Sequence, residues 1–218
     1  HRPRGFLGSG SEEPNAIVQI IKDKARTEPN IRATEIEIFE GFEAKSQNCW
    51  PSVNFDVGAI NNLLSPLLPA GFYYKTFMWP AKFWETYEYF IRKSAGLGVS
   101  ATERDPDLYD HKYYHCDVLI IGSGPAGLTA ASIAVKSGKK VLLVDEKPDH
   151  GGSLVGSDNK LTKINYTTPI DWINKTFSNL SKNNNIKILN RTSVAAYHNY
   201  NYLIMVQNLT ERLNDKEK

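Results

Sequence analysis

Apolar residues recur with two different spacings along the 218-residue chain, and the spacing predicts which segments form strands and which form helices. Continuous apolar runs in the C-terminal half predict strands over 117–121, 140–145 and 186–189, as expected for a buried parallel sheet. Helical spacing predicts helices over 125–137 and 169–182, the second beginning after Thr168 as N-cap with Pro169 at the first helical position. This order of strands and helices predicts a βαβ unit extended by a third parallel strand.

Shorter patterns flank this unit. Alternating residues predict an antiparallel hairpin with strands over 192–197 and 202–207. Near the N-terminus they predict strands over 16–21 and 34–39, with the polar segment 22–32 as a loop. Residues 81–95 have a helical period that predicts a helix with an aromatic stripe, which we interpret as core packing or an interface and not a ring-stacking ligand site. The stripe consists of Phe83, Trp84, Tyr87, Phe90 and Ile91.

Glycines interrupt the apolar pattern where the first strand of the βαβ unit ends. Gly122 is expected to make the tight turn, Gly124 to leave room for a pyrophosphate, and Gly127 to let the next helix pack closely on the strand. The N-terminus of that helix presents amides and a positive dipole end, both of which favour phosphate. The segment therefore predicts a dinucleotide site formed by Gly122, Ser123, Gly124, Pro125, Ala126 and Gly127.

Carboxylates follow the second strand, about twenty residues past the turn, where an acid can bind a ribose 2′-hydroxyl. Asp145 is the first choice because it ends the predicted strand, and Glu146 is the second. An acid in this position favours NAD or FAD over NADP. Lys147 is a further predicted cofactor-binding residue. Gly152 and Ser153 are predicted on the phosphate side, and the backbone of Val194 at the adenine.

Composition and charge limit the kinds of partner and the cellular compartment that the chain suits. The uncharged run 118–135 has nearly the length of a membrane span, but three glycines and Pro125 interrupt it, so a span is rejected. A net charge of +2 with scattered basic residues indicates neither nucleic acid nor an anionic membrane as a partner. Cys49 and Cys116 are far apart in sequence, which predicts no metal site and no disulfide, and favours a reducing cytoplasm.

The double glycine at 151–152 adds a further signal. A first-strand GxGxxG, a second-strand acid and a double glycine together resemble the flavoprotein disulfide reductases. Over essentially the whole chain, the sequence resembles the alpha-subunit family of the heterotetrameric sarcosine oxidases. The segments that carry this resemblance are HRPRG (1–5), GSEEPNA (10–16), SQNCWP (46–51), GFYYKTFMWP (71–80) and AGLG (95–98).

That resemblance implies a bacterial cytoplasmic complex that oxidises sarcosine to glycine, with tetrahydrofolate accepting the methyl carbon and oxygen accepting the electrons. It implies NAD in the alpha subunit, FMN at the alpha–beta interface, FAD in the beta subunit, and beta, gamma and delta subunits as partners. The N-terminal segment would be a ferredoxin-like β-grasp module. Its loop 8–14 has no cysteine, so an iron-sulfur cluster is not expected.

We therefore predict an α/β protein: an incomplete Rossmann-like FAD/NAD(P)-binding domain over 113–218, preceded by a partial, cluster-free β-grasp module over 1–48 and an aromatic helical connecting region over 49–112. The chain begins with His1 and ends in a charged segment, and is interpreted as an N-terminal fragment. No nucleophile–base pattern is found, so no catalytic residue is predicted and the fragment alone is expected to be inactive.

Two alternatives stay open. The first is a subunit of an FAD-dependent amine or amino-acid dehydrogenase, which would share the turn, the acid and the double glycine. The second is a non-catalytic interaction module, stabilised by NAD, whose aromatic region is a subunit interface.

Overall fold

The computed structural model describes residues 13, 15–21, 23–47, 49–52, 54–64, 66, 71 and 79–209. The chain divides into two compact units, 1–109 and 110–218. The loop 8–14, apart from Glu13, lies outside the described residues, as does most of the block 71–80. The finer division of the first unit at residue 48 stays a prediction.

The first unit contains a three-stranded antiparallel sheet with strand order β2-β1-β3. Its strands are β1 (Ile17–Ile20), β2 (Glu28–Arg32) and β3 (Ala44–Ser46). Strand β1 confirms the first predicted strand, but the second prediction is wrong: residues 28–32 form the strand, whereas 34–39 are turn and irregular backbone. The alternation there does not mark a buried face, because the Ile38 side chain is 81% exposed.

Residues 28–32 form a strand by pairing with β1, although Pro29 and Asn30 favour a loop there. Ile17 and Val18 pair with Arg32 and Ile31, and Asn30 has a φ of +63° beside an irregular step in the register. Asparagine accepts this left-handed conformation more readily than most residues. Tertiary pairing therefore decides the strand, which a local pattern cannot show.

Side-chain amides fasten a later segment of the first unit to this sheet. The Oδ1 atom of Asn30 accepts hydrogen bonds from the Gly98 amide and from Gln47 Nε2, at 3.0 and 2.9 Å. Gln19 Nε2 donates to the carbonyl of Val99 and Gln19 Oε1 accepts from its amide. The segment after the aromatic helix is therefore held against the sheet by side chains instead of a backbone ladder.

The connecting region contains the short helix α1 (Ile60–Leu63) and the helix α2 (Trp84–Ser94), which follows a 3-10 turn over Ala81–Phe83. This confirms the predicted helix over 81–95. The aromatic stripe is not core, however: Phe83, Trp84 and Phe90 are 44%, 38% and 60% exposed. Its role as an interface stays a prediction.

The second unit is built on a parallel sheet with strand order β4-β5-β6, formed by Val118–Ile121, Val141–Val144 and Ile186–Leu189. Helices α3 (Pro125–Lys136) and α4 (Pro169–Ser181) belong to the same unit, and Thr168 caps α4 by accepting from the Asp171 amide. All of these elements confirm the predicted ones. Strand β5 is central and fully buried, which explains its uninterrupted apolar sequence.

Two apolar clusters hold the described part of this unit, up to residue 209, together. The first joins α3 and α4 to one face of the sheet, and its buried members include Leu128, Leu143 and Ile173. The second lies at Leu142, Val144 and Leu189, and the hairpin β7 (Thr192–His198) and β8 (Tyr202–Gln207) packs Val194 and Met205 against it. The predicted hairpin is confirmed.

Strand β4 lies at the edge of this sheet. Within the described residues it pairs with β5 alone, and the Ile121 side chain is 60% exposed. No helix in the described ranges is both long and apolar enough to cross a membrane, since the run 118–135 is divided between β4 and α3.

Candidate dinucleotide-binding site

The glycine-rich turn follows β4 and leads directly into α3. Gly122 has a φ of +94°, which a side chain would disfavour, and its amide donates to the Val144 carbonyl at 2.8 Å. A Cβ on Gly127 would lie 1.9 Å from the Gly122 carbonyl oxygen. Glycine is thus required at both positions by the protein's own backbone, whether or not a ligand is bound.

Gly124 differs from these two glycines. It is the N-cap residue of α3, and the nearest atom to a Cβ built on it would be the Gly152 Cα at 4.0 Å. The fold itself therefore has room for a side chain there. Glycine at this position leaves the approach to the helix N-terminus open, which is what a pyrophosphate requires.

The first turn of α3 supplies donors for an anion. The first amide that donates within the helix belongs to Leu128, which bonds to the Gly124 carbonyl at 2.9 Å. The amides of Ala126 and Gly127 precede it and have no carbonyl acceptor in the helix. Pro125 has no N–H and fits the first helical position. Two amides and the positive end of the helix dipole are thus available to an anion at the N-terminus that Gly124 caps.

Ser123 occupies the centre of the turn and is completely buried. Its amide and its hydroxyl both donate to Asp145 Oδ2, at 2.5 and 2.6 Å. Its carbonyl accepts from the Gly151 amide at 2.9 Å, and His150 Nδ1 lies 3.0 Å from its Oγ. Every polar atom of Ser123 therefore contacts the protein.

The two acids after β5 occupy different surroundings. Asp145 is half-buried, and besides the two bonds from Ser123 it accepts one from the Lys147 amide at 2.8 Å. Glu146 is exposed. Sequence reasoning ranked Asp145 first for the ribose, whereas the geometry commits its oxygens to the turn and leaves the Glu146 carboxylate accessible.

The second glycine loop approaches the first. Gly151 and Gly152 have φ values of +110° and +54°, and a Cβ on Gly152 would lie 3.0 Å from the Gly124 Cα. A Cβ on Gly151 would lie 2.4 Å from Ile173 Cδ1. The pair of glycines lets this loop pass between α4 and the N-terminus of α3.

His150 precedes the double glycine and connects three elements. Its ring stacks on Phe177 of α4, with centroids 4.0 Å apart and planes 25° from parallel. Burial lowers the pKa of this imidazole below its ordinary value, although the charges of Asp145 and Asp149 act in the opposite direction. Desolvation therefore favours the neutral ring.

The remaining predicted residues lie around the same end of the sheet. Lys147 accepts at its carbonyl from the Arg191 amide, and the Thr192 amide donates to the Asp145 carbonyl. The start of β7 is thereby tied to the segment that carries the acids, two residues before Val194. Ser153 is exposed in a 3-10 turn over Gly152–Leu154.

Sequence reasoning missed two residues that support these loops. Besides His150 with its Phe177 stack, it missed Asn190, whose Nδ2 donates to the Pro148 carbonyl at 2.6 Å. The position of His150 directly before a double glycine was a usable signal, because a side chain there must lie close to the turn. Asn190 offers no local signal.

Comparisons with known proteins identify the class of each part of the chain. A family model described as FAD dependent oxidoreductase matches residues 117–211, and one described as 2Fe-2S iron-sulfur cluster binding domain matches residues 1–49. Residues 117–211 thus form a domain of the FAD-dependent oxidoreductase class. The chain is, more specifically, a homologue of sarcosine oxidase subunit alpha.

The relatives extend beyond this chain. The subunit from Rhizobium meliloti (strain 1021) is 47% identical over 99% of this chain and 22% of its own length. That from Corynebacterium sp. (strain P-1) is 33% identical over 97% of this chain and 17% of its own length. A soluble pyridine nucleotide transhydrogenase from Azotobacter vinelandii is 55% identical over 40 residues, 18% of this chain and 9% of its own length. The chain therefore spans about a fifth of the first of these relatives.

The 2Fe-2S model and the residues of this chain do not fit together. A ferredoxin-type 2Fe-2S centre needs four cysteine thiolates. The chain has two cysteines, Cys49 and Cys116, and only Cys49 lies within residues 1–49. No electron transfer is therefore assigned to an iron-sulfur cluster held by this chain.

Proposed function

We propose that residues 110–218 bind NAD, as the dinucleotide-binding part of a sarcosine oxidase alpha subunit. The observation that carries this proposal is Gly124: its open N-cap position at α3 is free of any internal packing requirement. A glycine that the fold does not need is explained by a ligand that does. The donors available there are amides and a helix dipole, and they suit a pyrophosphate.

Within this proposal the turn residues have different tasks. The amides of Ala126 and Gly127 bind the pyrophosphate over Gly124, with Pro125 starting the helix. Gly122 and Ser123 shape the turn, and the Asp145 carboxylate fixes Ser123 by accepting hydrogen bonds from its amide and its hydroxyl. Gly152 and Ser153 border the phosphate side.

Glu146 is the residue that we propose to bind the ribose. A ribose hydroxyl needs an accessible acceptor, and Glu146 is exposed while the Asp145 oxygens already accept three hydrogen bonds. A carboxylate there also repels the 2′-phosphate of NADP. Lys147 and the backbone of Val194, at the same end of the sheet, are the proposed neighbours of the adenosine.

The whole protein is proposed to be an oxidoreductase acting on CH–NH donors, which demethylates sarcosine to glycine with tetrahydrofolate and oxygen as acceptors. In that proposal it works in the cytoplasm with beta, gamma and delta subunits, with FMN at the interface to the beta subunit and FAD within that subunit. In that complex, the 218-residue chain contributes a cofactor-binding site. The aromatic face of α2, exposed at Phe83, Trp84 and Phe90, is the proposed docking surface for a subunit.

FAD is the second candidate for the same site, and the match to an FAD dependent oxidoreductase model favours it. FAD and NAD share the adenosine and pyrophosphate that the turn would bind. The same site is also compatible with the two alternatives. One is a subunit of an FAD-dependent amine or amino-acid dehydrogenase, and the other is a non-catalytic module that NAD stabilises. They differ from the leading proposal in the other subunits of the complex.

Calorimetric titration of the purified chain with NAD, NADP and FAD separates these candidates. We expect saturable NAD binding and at least tenfold weaker NADP binding. Tight FAD binding that yields a yellow protein would replace NAD by FAD in the proposal. If none of the three ligands binds, the assignment of the site is wrong.

A further inference from the structure

The hydrogen atoms around Ser123 determine how His150 can contact the glycine turn. The Asp145 carboxylate, a group that only accepts hydrogen bonds, accepts three, from the Ser123 amide, the Ser123 hydroxyl and the Lys147 amide. The single hydroxyl hydrogen of Ser123 is thus donated to Asp145. Only a lone pair of Oγ is left for His150.

This arrangement fixes the tautomer of the imidazole. Because Ser123 Oγ can only accept, the His150 Nδ1 atom, 3.0 Å away, must carry the hydrogen and donate it. The ring is neutral when its other nitrogen is unprotonated, and desolvation on Phe177 favours that state. Nε2 is then an acceptor.

The imidazole and the next amide together fasten the second glycine loop to the first. His150 Nδ1 donates to Ser123 Oγ, and Gly151 N donates to Ser123 O at 2.9 Å. These two bonds set how closely Gly152 approaches Gly124, where a Cβ on Gly152 would lie 3.0 Å from the Gly124 Cα. Gly124 and Gly152 thus lie close together beside the N-terminus of α3.

We propose that His150 is a positioning residue of the dinucleotide site, which clamps the double-glycine loop onto Ser123 and thereby sets the geometry in which the pyrophosphate is bound. This role rests on the proposed function of the site. His150 acts through Ser123 and is not assigned a direct contact with the ligand.

Three variants of the full chain separate the hydrogen bond from the ring stack. His150→Phe keeps an aromatic ring beside Phe177 but removes the donor. His150→Asn places an amide N–H close to where Nδ1 lies but removes the stack. His198→Phe, on the exposed hairpin of the same unit, is the matched control.

Calorimetry with whichever dinucleotide the wild type binds gives the main readout. We expect about tenfold weaker binding for His150→Phe, on the order of one lost hydrogen bond. We expect a loss below about threefold for His150→Asn and no change for His198→Phe. Unchanged binding by His150→Phe, with binding by the wild type intact, would overturn the positioning role alone. If the wild type binds neither NAD nor FAD, the proposed function fails and the positioning role fails with it.

The tautomer provides a readout that a general loss of stability would not move. Long-range ¹H–¹⁵N correlation spectra of the unliganded chain at pH 7.5 should show His150 protonated at Nδ1. In Ser123→Ala the acceptor is gone, and the signal should shift towards the mixture of a free imidazole. A wild-type ring protonated at Nε2 would contradict the inference, because it could not donate to Ser123.

Discussion

Asp145 Oδ2 accepts hydrogen bonds from both the amide and the hydroxyl of Ser123, so one carboxylate oxygen supports the centre of the glycine turn. The same carboxylate group accepts from the Lys147 amide through Oδ1. An acid at the end of a second strand is expected to bind a ribose, yet here the acid nearest the strand supports the turn. The next residue, Glu146, is exposed and is the acid that we propose for the ribose.

Asp145 and Glu146 are therefore expected to differ in what their loss affects. Asp145→Ala leaves the buried Ser123 amide without its acceptor and should lower the unfolding free energy by about 3 kcal/mol. Glu146→Ala should leave stability within about 0.5 kcal/mol of wild type. It should nevertheless weaken NAD binding by roughly 1.5 to 3 kcal/mol, through loss of a charged acceptor. Urea unfolding and NAD titration of both variants check this, and the reverse pattern would restore Asp145 to the ribose.

Gly124 and Gly127 allow the same substitution to be compared at two positions of one turn. Gly127→Ala should destabilise the second unit by about 3 kcal/mol, because its methyl group would lie 1.9 Å from the Gly122 carbonyl oxygen. Gly124→Ala should fold with nearly wild-type stability, because its nearest neighbour is 4.0 Å away, and should lose most dinucleotide affinity. Thermal unfolding with and without NAD distinguishes the two. Wild-type affinity in a folded Gly124→Ala protein would show that the ligand does not approach this residue.

Gly151 combines backbone strain with a steric conflict. Gly151→Ala has both a φ of +110° and a methyl group 2.4 Å from Ile173 Cδ1. Gly138→Ala is a control with a φ of +71° and no atom within 4 Å of the methyl, so it should cost only about 1 kcal/mol. Removing Cδ1 by Ile173→Val should partly rescue Gly151→Ala. Denaturant unfolding of the single and double variants measures this coupling, and strictly additive effects would contradict the steric account.

His150 predicts a pH dependence with a definite sign. Its pKa in the folded chain lies below the ordinary value of 6.5 because burial disfavours the imidazolium. The unfolded chain therefore binds more protons between the two pKa values, so the unfolding free energy falls as pH drops below 6.5 and levels off below the folded pKa. Urea unfolding of wild type and His150→Phe from pH 7.5 to 5 isolates this contribution. Equal slopes in the two proteins would exclude it.

Much of the second unit follows from the sequence, because its elements are set by local signals. A fully buried parallel strand has a continuous apolar sequence, as β5 shows, and Thr168 with Pro169 correctly marks the start of α4. The sequence also places the glycine-rich segment between β4 and α3, where Gly122 and Gly127 answer backbone requirements.

What the sequence could not supply depends on contacts between distant residues. Strand β2 forms through pairing with β1 despite Pro29 and Asn30, and it leaves Ile38 exposed. The ranking of Asp145 over Glu146 assumed that the strand end faces the ligand. In the structure the hydroxyl of Ser123, 22 residues earlier, donates to that carboxylate, a contact that no local pattern indicates.

The edge position of β4 has a practical consequence for every measurement suggested above. Among the described residues β4 is paired on one side only. A strand paired in this way presents backbone donors and acceptors along its other side, and these can pair with a second chain. The glycine-rich turn directly follows this strand. Association of two chains through β4 would therefore alter the surroundings of a bound ligand. Protein concentration is accordingly a variable to be held constant, and light scattering belongs beside each titration.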